Sequence, residues 1–350
     1  MLKKFRNISI IVLLILSLFG CSSKVEEYES AKKIVIDTDT AADDAIAMIL
    51  ALKSKKTEVL GITTVFGNIS IEQATKNALM TVEITGSNVE VYKGAATAIT
   101  GESTQTQNIF GDDGMGDCGL IHPSRKENEK SAVDFILETV KANPNEVEIV
   151  SLGPSTNIAE AILKDGETMK KVKHIYAMAT AGIETAGNAT PVAEFNVYKD
   201  PDAFSTLLNS GIPLTILGLD ATKEDETNYY EKDLNNLAKL NEVGDYICKC
   251  SHKLADLKKN TTGKYFIDFI DPITMACAIW NDYILEENEY WAVCVADDDQ
   301  WGYGEVIYFD VNKHYDTSYN VKGEVEPNCS LIKDHNKKVF KDRIYEIVKR

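Results

Sequence analysis

Short apolar runs alternate with longer segments of helical periodicity along most of this chain. The short runs predict six strands, at Lys33–Asp37, Glu58–Thr64, Glu90–Lys93, Val147–Leu152, Lys173–Ala177 and Leu214–Leu217. The segments between them repeat apolar side chains every three to four residues and predict helices at about 43–54, 70–86, 130–142, 156–165 and 201–210. Alternation of this kind is typical of an α/β fold, with a mostly parallel sheet covered by helices on both faces.

The second half of the chain is less regular. In chain order it predicts one or two helices over 231–258, a buried helix at 272–281, late strands at 291–295 and 304–311, and a charged terminal helix at 335–349. No Pro- or Gly-rich linker interrupts the chain after residue 30. We therefore expect a single domain over residues 31–350.

The N-terminus has the pattern of an export signal. Three basic residues in the first six precede a short apolar run at 8–19, which is too brief for a membrane-spanning helix. Leu18-Phe19-Gly20-Cys21 then resembles a bacterial lipobox, in which the cysteine is lipidated. We expect a signal peptide at 1–20, a polar tether at 21–30, and a lipid on Cys21 that anchors the protein extracytoplasmically on the bacterial cell membrane. An uncleaved signal anchor is the alternative.

The charge balance argues against nucleic acid as a partner. The 350 residues contain 54 Asp and Glu against 37 Lys and Arg, for a net charge of −17. Phosphate recognition needs a cationic surface, whereas this balance suits a small ligand or a bound cation. The seven cysteines match no zinc-binding spacing. Export permits disulfides, but the sequence assigns no pairs.

Four carboxylates crowd the end of the first predicted strand. They are Asp37, Asp39, Asp43 and Asp44, in the segment Asp37-Thr38-Asp39-Thr40-Ala41-Ala42-Asp43-Asp44. Asp43 is placed to cap the following helix, but capping explains one or two of the four. Because like charges repel, such crowding indicates a shared cation, and a set of oxygen donors indicates Ca²⁺ or Mg²⁺.

Two enzyme families compete for this acidic segment. Haloacid-dehalogenase-type phosphatases begin with Asp-x-Asp-x-Thr/Val, which Ala41 interrupts here. An acidic, glycine-rich loop at 111–117 imitates their later motif but is equally well explained as a loop. The other family opens with Asp-x-Asp-x-x-x-Asp-Asp-Ala, which is complete in Asp37 to Ala45.

Four further segments resemble this second family, the inosine–uridine-preferring nucleoside hydrolases. In chain order they are Thr63-Thr64-Val65-Phe66-Gly67-Asn68, Leu152-Gly153-Pro154-Ser155-Thr156-Asn157, Gly187-Asn188-Ala189-Thr190-Pro191-Val192-Ala193-Glu194-Phe195-Asn196 and Asp271-Pro272. Together with the first segment they cover roughly residues 31–281 in family order. The resemblance implies the nucleoside hydrolase fold and hydrolysis of the N-glycosidic bond of ribonucleosides.

The resemblance also implies roles for individual residues. Asp39, Asp44, Asp271 and the main-chain carbonyl of Leu152 are expected to bind Ca²⁺, with Asp39 also acting as general base on the attacking water and Asp37 supporting the site. Ribose recognition is expected from Asp43, Asn68, Asn188, Glu194 and Asn196. We expect Glu194 and Asn196 to lie on one side of an extended segment, with Phe195 facing the other.

The sequence differs from the family at the positions that are expected to assist departure of the nucleobase. Many members carry a histidine directly before the metal-binding aspartate of the late motif, and here that position is Ile270. A second histidine found in some members is replaced by Phe110. Five residues in later segments, Tyr229, Tyr230, Tyr265, His252 and Trp301, are able to close over a base, although packing explains each of them better.

The leading hypothesis is therefore a Ca²⁺-dependent nucleoside hydrolase that serves nucleoside salvage. The alternative is a calcium-dependent nucleoside- or ribose-binding lipoprotein with little or no turnover, which the Ile270 departure motivates. The resemblance allows a homodimer or a homotetramer. The preference for purine or pyrimidine bases stays open at this level.

Overall fold

A nine-stranded sheet forms the centre of the computed structural model. Its strands are β1 Lys32–Thr38, β2 Thr57–Thr64, β3 Val91–Lys93, β4 Val147–Ser151, β5 His174–Met178, β6 Leu214–Leu217, β9 Ile284–Cys294, β10 Val306–Phe309 and β11 Cys329–His335. The order across the sheet is β10-β9-β11-β6-β5-β4-β1-β2-β3. The seven strands from β11 to β3 are parallel to one another, while β9 is antiparallel to both of its neighbours.

Helices cover both faces of this sheet. They are α1 Ala42–Lys53, α2 Ile71–Ile84, α3 Ala132–Ala142, α4 Thr156–Lys164, α5 Gly166–Met169, α6 Phe195–Lys199, α7 Pro201–Leu208, α8 Glu231–Ala238, α9 Glu242–Thr262, α10 Ile270–Ile279 and α11 Lys337–Lys349. A 3₁₀ turn at Leu219–Ala221 and a small hairpin of β7 Tyr229–Tyr230 and β8 Phe266–Ile267 complete the set.

The strand pattern explains why two hydrophobic layers form. Ile34 and Ile36 of β1 pack into the layer that contains α1, α10 and α11, whereas Val35 packs into the layer on the other face with α3 and α4. Successive side chains of a strand point to opposite faces, so a central strand that is buried on both sides is apolar throughout. The predicted α/β class with a mostly parallel sheet is confirmed.

The structure describes residues 30–101, 108–222, 225–297, 301–311 and 326–350. Within these ranges, Ala31–Arg350 form one compact unit. The predicted signal peptide, Cys21 and nearly all of the tether lie outside the described residues. No helix in the described ranges combines the length and the apolar character needed to cross a membrane. The six cysteines described there are free thiols.

The first half of the chain follows the predicted elements closely, and the second half departs from them. Residues 231–258 form two helices, because Asn241 accepts a hydrogen bond from the Gly244 N–H and so caps a new helix start. Strand β9 begins at Ile284, earlier than predicted. The sequence did not indicate this start because the first half of the strand is exposed and acidic and lacks an apolar pattern. Strand β11 was not predicted, and α11 begins only after it, at Lys337.

Candidate functional site

The carboxyl end of β1 forms the floor of the site. Asp37, the penultimate residue of β1, is wholly buried and accepts hydrogen bonds on Oδ1 from Thr63 Oγ1 at 2.6 Å and Asn157 Nδ2 at 2.7 Å. Its other oxygen, Oδ2, is buried without a hydrogen-bond partner. Thr63 belongs to β2 and Asn157 to α4, so Asp37 ties three chain segments together beneath the site. This matches its predicted supporting role, as a residue that fixes its neighbours in place.

Asp39 lies where the ends of β1, β2 and β4 converge. It is wholly buried, and its Oδ2 accepts the main-chain N–H of Asn68 at 2.5 Å. A Cβ atom at Gly67 would meet Asp39 Oδ2 at 2.0 Å, and one at Gly153 would meet the Asp39 main-chain nitrogen at 2.9 Å. Both glycines are therefore needed for the close approach of the two neighbouring loops. The second carboxylate oxygen, Asp39 Oδ1, is buried and has no hydrogen-bond partner.

Asp44 fixes the start of α1. Its Oδ1 accepts the Thr38 hydroxyl at 2.6 Å, and its Oδ2 accepts the main-chain N–H of Ala41 at 2.9 Å. Ala41 is the N-cap residue of α1, so the expectation that Asp43 caps this helix is wrong. Asp44 closes the helix start from its first turn instead, which leaves the Asp43 side chain available to the site.

Three carboxylates gather beside this helix start. Asp43, Asp44 and Asp271 offer oxygen atoms that all lie within 4.8 Å of one another. Asp271 comes from the first turn of α10, and that helix packs against α1. From the sequence we had expected Asp39, Asp44 and Asp271 to bind the metal and Asp43 to bind ribose. The structure instead groups Asp43 with Asp44 and Asp271. Asp39 is nevertheless a close neighbour, since its negative charge is among those that raise the pKa of Asp44 and of Asp271.

Burial dominates the electrostatics of these groups. It raises the pKa of Asp37 to about 6 and that of Asp39 to about 7, and the charge of Asp43 adds to the second effect. For Asp43, Asp44 and Asp271, burial and then the neighbouring carboxylates raise the pKa well above its ordinary value. A buried carboxylate that lacks a counter-charge favours its protonated form. In the absence of a cation, the cluster therefore resists ionisation.

The donor set fits a hard metal ion. Every candidate ligand is an oxygen atom, and buried oxygens of Asp39 and Asp43 have no hydrogen-bond partner in the described structure. Carboxylate and carbonyl oxygens are the ligands that Ca²⁺ and Mg²⁺ prefer. Lys199 is a cationic group on which this cluster acts: burial lowers its pKa to about 8, and the charge of Asp39 acts in the opposite direction. A single lysine cannot balance four carboxylates.

The carbonyl of Leu152 is held in place from α6. Asn196 Nδ2 donates to Leu152 O at 2.8 Å and to Met178 O at 3.1 Å. Leu152 directly follows β4 and lies beside the acidic cluster in the wall of the same cavity. A carbonyl oxygen has two lone pairs, so the bond from Asn196 leaves one for a cation.

Glu194 is the N-cap of α6. Its carboxylate accepts the main-chain N–H groups of Asn196, at 3.0 and 2.9 Å, and of Val197, at 3.2 Å. The expectation of an extended Glu194–Asn196 segment is therefore wrong, because this carboxylate satisfies the free N–H groups of a helix start. Burial raises the pKa of Glu194 to about 7.

One cavity of about 350 Å³ brings most of the predicted residues together. Those that line it are Asp43, Asn68, Leu152, Asn188, Glu194, Asn196 and Asp271. Asp37, Asp39 and Asp44 are wholly buried and are not part of its lining. Asn188 accepts the Phe195 N–H at 2.8 Å, which fixes its loop against α6. A volume of this size is within the range of small-molecule sites.

Part of the cavity lining is apolar. Ile109, Phe110, Leu254, Leu257 and Ile270 line it, so both positions that depart from the family histidines face the cavity. The five residues considered for closing over a base are not among those lining it. Tyr229, for example, is buried against Phe269 at 4.7 Å between ring centroids, and the Trp301 side chain is exposed.

The glycine-rich acidic loop at 111–117 is a structural turn. Asp113 Oδ1 accepts the N–H groups of Met115 and Asp117, and Asp117 Oδ1 accepts the N–H of Asp113. Hydrogen bonds within the loop therefore occupy these carboxylates, and Asp117 also forms an ion pair with Lys253 at 3.4 Å. The loop explanation of this segment therefore accounts for its acidic residues better than a phosphatase motif does.

Several residues at the site were missed or underused in the sequence analysis. Asn157 ends the Leu152–Asn157 motif, and Lys199 follows the Gly187–Asn196 motif by three residues, but neither was given a role. Lys258 and Asp268 line the cavity and form an ion pair at 2.6 Å. Asp268 precedes Asp271 by three residues, and that proximity was the available signal. Lys258 on α9 had no local motif, since only the tertiary fold brings it to the cavity.

Comparison with known proteins agrees with this geometry. The family model described as inosine-uridine preferring nucleoside hydrolase matches residues 34–342. The chain is 36% identical to uridine nucleosidase 1 of Arabidopsis thaliana over 260 residues, which is 72% of this chain and 75% of that protein. It is also 36% identical to the pyrimidine-specific ribonucleoside hydrolase RihB of Escherichia coli, over 55% of this chain and 61% of that protein.

Solved structures give the same result at the level of the fold. A plant nucleoside hydrolase, PpNRh1, superposes with a TM-score of 0.82 at 28% identity, covering 91% of this chain and 99% of the other. A purine-preferring ribonucleoside hydrolase from Gardnerella vaginalis superposes with a TM-score of 0.80 at 28% identity and the same coverage. From its family match, its relatives and its fold, this chain belongs to the inosine-uridine preferring nucleoside hydrolase family and is a nucleoside hydrolase.

Proposed function

We propose that this chain uses Ca²⁺ to hydrolyse the N-glycosidic bond of ribonucleosides, releasing ribose and the free base. The observation that supports this proposal is that carboxylates from α1 and α10 gather in and directly behind the wall of one cavity, with the buried Asp39 acting on them. Asparagine side chains suited to sugar hydroxyls line the same wall. This combination fits a sugar held against a cation.

The residues proposed to hold Ca²⁺ are Asp39, Asp44, Asp271 and the carbonyl of Leu152, with Asp43 beside them. When bound there, Ca²⁺ would offset the crowded negative charge and polarise the water and ribose hydroxyls that complete its oxygen shell. The preference for Ca²⁺ over Mg²⁺ rests on the number of oxygen donors, because Ca²⁺ accepts six to eight and Mg²⁺ keeps several waters.

Asp39 is the proposed general base. The Asn68 N–H occupies one of its oxygens and Oδ1 has no protein partner, so this carboxylate retains an oxygen that can accept a proton. A bound cation beside Asp39 would favour its ionised form, which is the form that accepts a proton. Asp37 and Gly67 act on Asp39 indirectly, by fixing the loops around it.

The ribose contacts follow from atoms that the protein leaves unused. Asn188 uses its Oδ1 for the Phe195 N–H and retains its Nδ2 donors. Asn196 uses its Nδ2 for two carbonyls and retains its Oδ1 acceptor. Asn68 and Asp43 add further polar groups to the same wall. Vicinal hydroxyls both donate and accept hydrogen bonds, so this mixed set suits a ribose.

A nucleoside panel tests the proposal directly. Purified protein with Ca²⁺ is incubated with uridine, cytidine, inosine, guanosine and adenosine, and both ribose and free base are quantified. We expect release of both products in equal amounts, loss of activity with a chelator, and recovery with Ca²⁺ better than with Mg²⁺. Absence of ribose release from every nucleoside would contradict the proposed hydrolysis.

A binding protein with little turnover is the second candidate, and Ile270 is the observation that favours it. A branched alkyl group lies in the cavity wall where many family members carry a proton donor. Calorimetry on the same preparation separates the two functions. Tight nucleoside binding in Ca²⁺ without product would support a receptor, whereas turnover on the scale of seconds would exclude it.

We propose further that Cys21 carries lipid and anchors the enzyme extracytoplasmically on the bacterial cell membrane. The support is the basic start, the apolar run at 8–19 and the sequence Leu18-Phe19-Gly20-Cys21. Expression of the whole chain in a bacterium, followed by fractionation and mass spectrometry, tests it. We expect a lipid-modified N-terminal cysteine in the membrane fraction and a shift to unmodified protein for Cys21→Ala. By resemblance, the assembly is proposed to be a homodimer or a homotetramer, which light scattering would distinguish.

A further inference from the structure

The cavity is lined by both polar and apolar side chains, and this difference in chemistry favours one orientation of a bound nucleoside. The polar lining residues include Asp43, Asp271 and the asparagines, while the apolar ones include Phe110 and Leu254. If the ribose lies against the polar residues, as the proposed function requires, the flat and largely apolar base is left to the apolar ones. The present inference rests on that proposed function.

Lys258 is the one lysine, arginine or histidine among the described residues that line the cavity. Its position on α9 is one turn after Leu254 and one turn before Thr261, which also line the cavity. These three residues share one face of the helix because residues three and four apart lie above one another. This face of the helix therefore presents one ammonium group to the cavity, between an apolar side chain and a hydroxyl.

Asp268 holds this ammonium group. Its Oδ2 lies 2.6 Å from Lys258 Nζ, and both side chains are about three-quarters shielded from solvent. The bond uses one of the three N–H donors of the lysine. In the described structure the other two donors have no hydrogen-bond partner, although the ammonium also lies 5.7 Å from the centre of the Phe266 ring. Two N–H groups therefore remain for a ligand.

The ion pair lies close to the reacting end of the cavity. Asp268 precedes Ile270 by two residues, and Ile270 precedes the cluster residue Asp271. The negative charge of Asp268 is also among those that act on Asp43. Lys258 is therefore near the position where the family pattern usually supplies a histidine, but it comes from a different element.

We propose that Lys258 contacts the nucleobase and stabilises the negative charge that the base acquires as it leaves, and that Asp268 is its positioning residue. The C1′–N bond breaks and both of its electrons pass to the base, where they delocalise onto a ring carbonyl oxygen. The Lys258 ammonium donates a hydrogen bond to that oxygen. The water oxygen bonds to C1′ and gives its proton to Asp39, and the departing base takes up a proton from solvent.

An activated substrate separates this role from a structural one. The p-nitrophenyl β-ribofuranoside has a leaving group that departs as a stable anion and needs no help, whereas uridine and inosine have poor ones. We expect Lys258→Met to lower kcat on the nucleosides about 100-fold, the scale of losing one preorganised donor to a developing charge. Its kcat on the p-nitrophenyl substrate should change less than about threefold, because the activation barrier for that substrate is not lowered by a hydrogen bond to the leaving group.

Matched variants complete the design. Lys258→Arg keeps the charge and should recover much of the nucleoside activity. Lys259→Met removes an adjacent, exposed lysine of the same helix and should behave as wild type. Asp268→Asn should lower kcat on the nucleosides about tenfold while leaving the p-nitrophenyl substrate unaffected, and Asp268→Glu should restore part of the loss. Thermal unfolding of each variant checks that the fold is retained.

The outcomes distinguish this inference from the proposed function. If the wild-type protein cleaves no nucleoside, the proposed function fails whatever the variants do. If the wild type cleaves nucleosides and Lys258→Met cleaves them equally well, only the inference is overturned. Equal losses on both substrates, or no recovery with Lys258→Arg, would also overturn it and would indicate a role in packing.

Discussion

The side-chain amide of Asn196 donates a hydrogen bond of 2.8 Å to the main-chain carbonyl of Leu152 and so joins α6 to the end of β4. This bond links a residue we had assigned to ribose to one we had assigned to the metal. Asn196 is therefore able to act on both, since its amide nitrogen holds the carbonyl and its amide oxygen remains available. The site is built from residues that depend on one another for position.

Replacement of Asn196 by leucine should weaken metal binding. The Leu152 carbonyl would lose the donor that orients it, and loss of such an outer partner lowers metal affinity about 10- to 100-fold. Calorimetric titration of the metal-free protein with Ca²⁺ measures this change. Asn209→Leu is the matched control, because Asn209 is exposed and bonds only the Ser205 carbonyl of its own helix. Equal Ca²⁺ affinity in both variants would remove Asn196 from the metal site.

Asp39 and Asp112 provide a contrast between two acidic segments. Asp39→Asn should lower kcat about 10³-fold, within the range for losing a general base, and should also weaken Ca²⁺ binding. Asp112→Asn, in the exposed glycine-rich loop, should change neither by more than about twofold. Steady-state kinetics and calcium titration on both variants decide the matter. Similar losses at the two positions would mean that the acidic cluster at β1 is not the centre of the reaction.

Gly67 is expected to tolerate no side chain. The Cβ atom of Gly67→Ala would lie 2.0 Å from Asp39 Oδ2, so either the loop or the carboxylate must move. Forced overpacking costs about 1–3 kcal/mol of stability, and a displaced Asp39 should lower kcat by at least about tenfold. Gly166→Ala is the control, since nothing lies within 4 Å of its added Cβ. A fully active Gly67→Ala enzyme would contradict the described approach of loop and carboxylate.

The stability of the metal-free protein should fall as the pH rises from about 4.5 to 7. Burial raises the pKa of Glu194 from 4.5 to about 7, so in this range the folded state keeps a proton that the unfolded chain has lost. The cost for Glu194 alone is on the order of 3 kcal/mol above pH 7, and it is absent below pH 4.5. Asp37 and Asp39, with raised pKa values of about 6 and 7, act in the same direction.

Thermal unfolding in a chelator across this pH range measures the effect. We expect Glu194→Gln to flatten the pH dependence and the exposed Glu167→Gln to leave it unchanged. Added Ca²⁺ should stabilise the protein more at pH 8 than at pH 5, because binding competes with protons for the same carboxylates. A metal-free protein that becomes more stable as the pH rises would contradict the described burial of these groups.

The sequence predicted the parallel half of the sheet and most of the site, for one physical reason. Parallel strands buried on both faces read as continuous apolar runs, and the polar residues directly after them meet at one edge of the sheet. Asp39 and Asn68, which follow β1 and β2, obey this rule, and Asp37 lies at the end of β1 itself. The same regularity explains why the strands before residue 218 were located within a residue or two of their observed limits.

The residues that were missed obey no local rule. Lys258 reaches the cavity only because α9 packs beside α1, and nothing around it in the sequence indicates a site. The first half of β9 is exposed and acidic, so no apolar pattern marks it as a strand. Glu194 was expected in an extended segment because its capping role depends on helical N–H groups that the sequence pattern does not show.

The position of β11 in the sheet has a consequence for the order of synthesis and folding. This strand, at Cys329–His335, lies between β6 and β9, and its partner residues in β6 were made more than a hundred residues earlier. A nascent chain that stops before Cys329 leaves β6 with an open edge and β9 without its inner neighbour. Because such distant pairing makes folding slow, the nascent chain should stay incompletely folded and bound by chaperones until its last residues emerge.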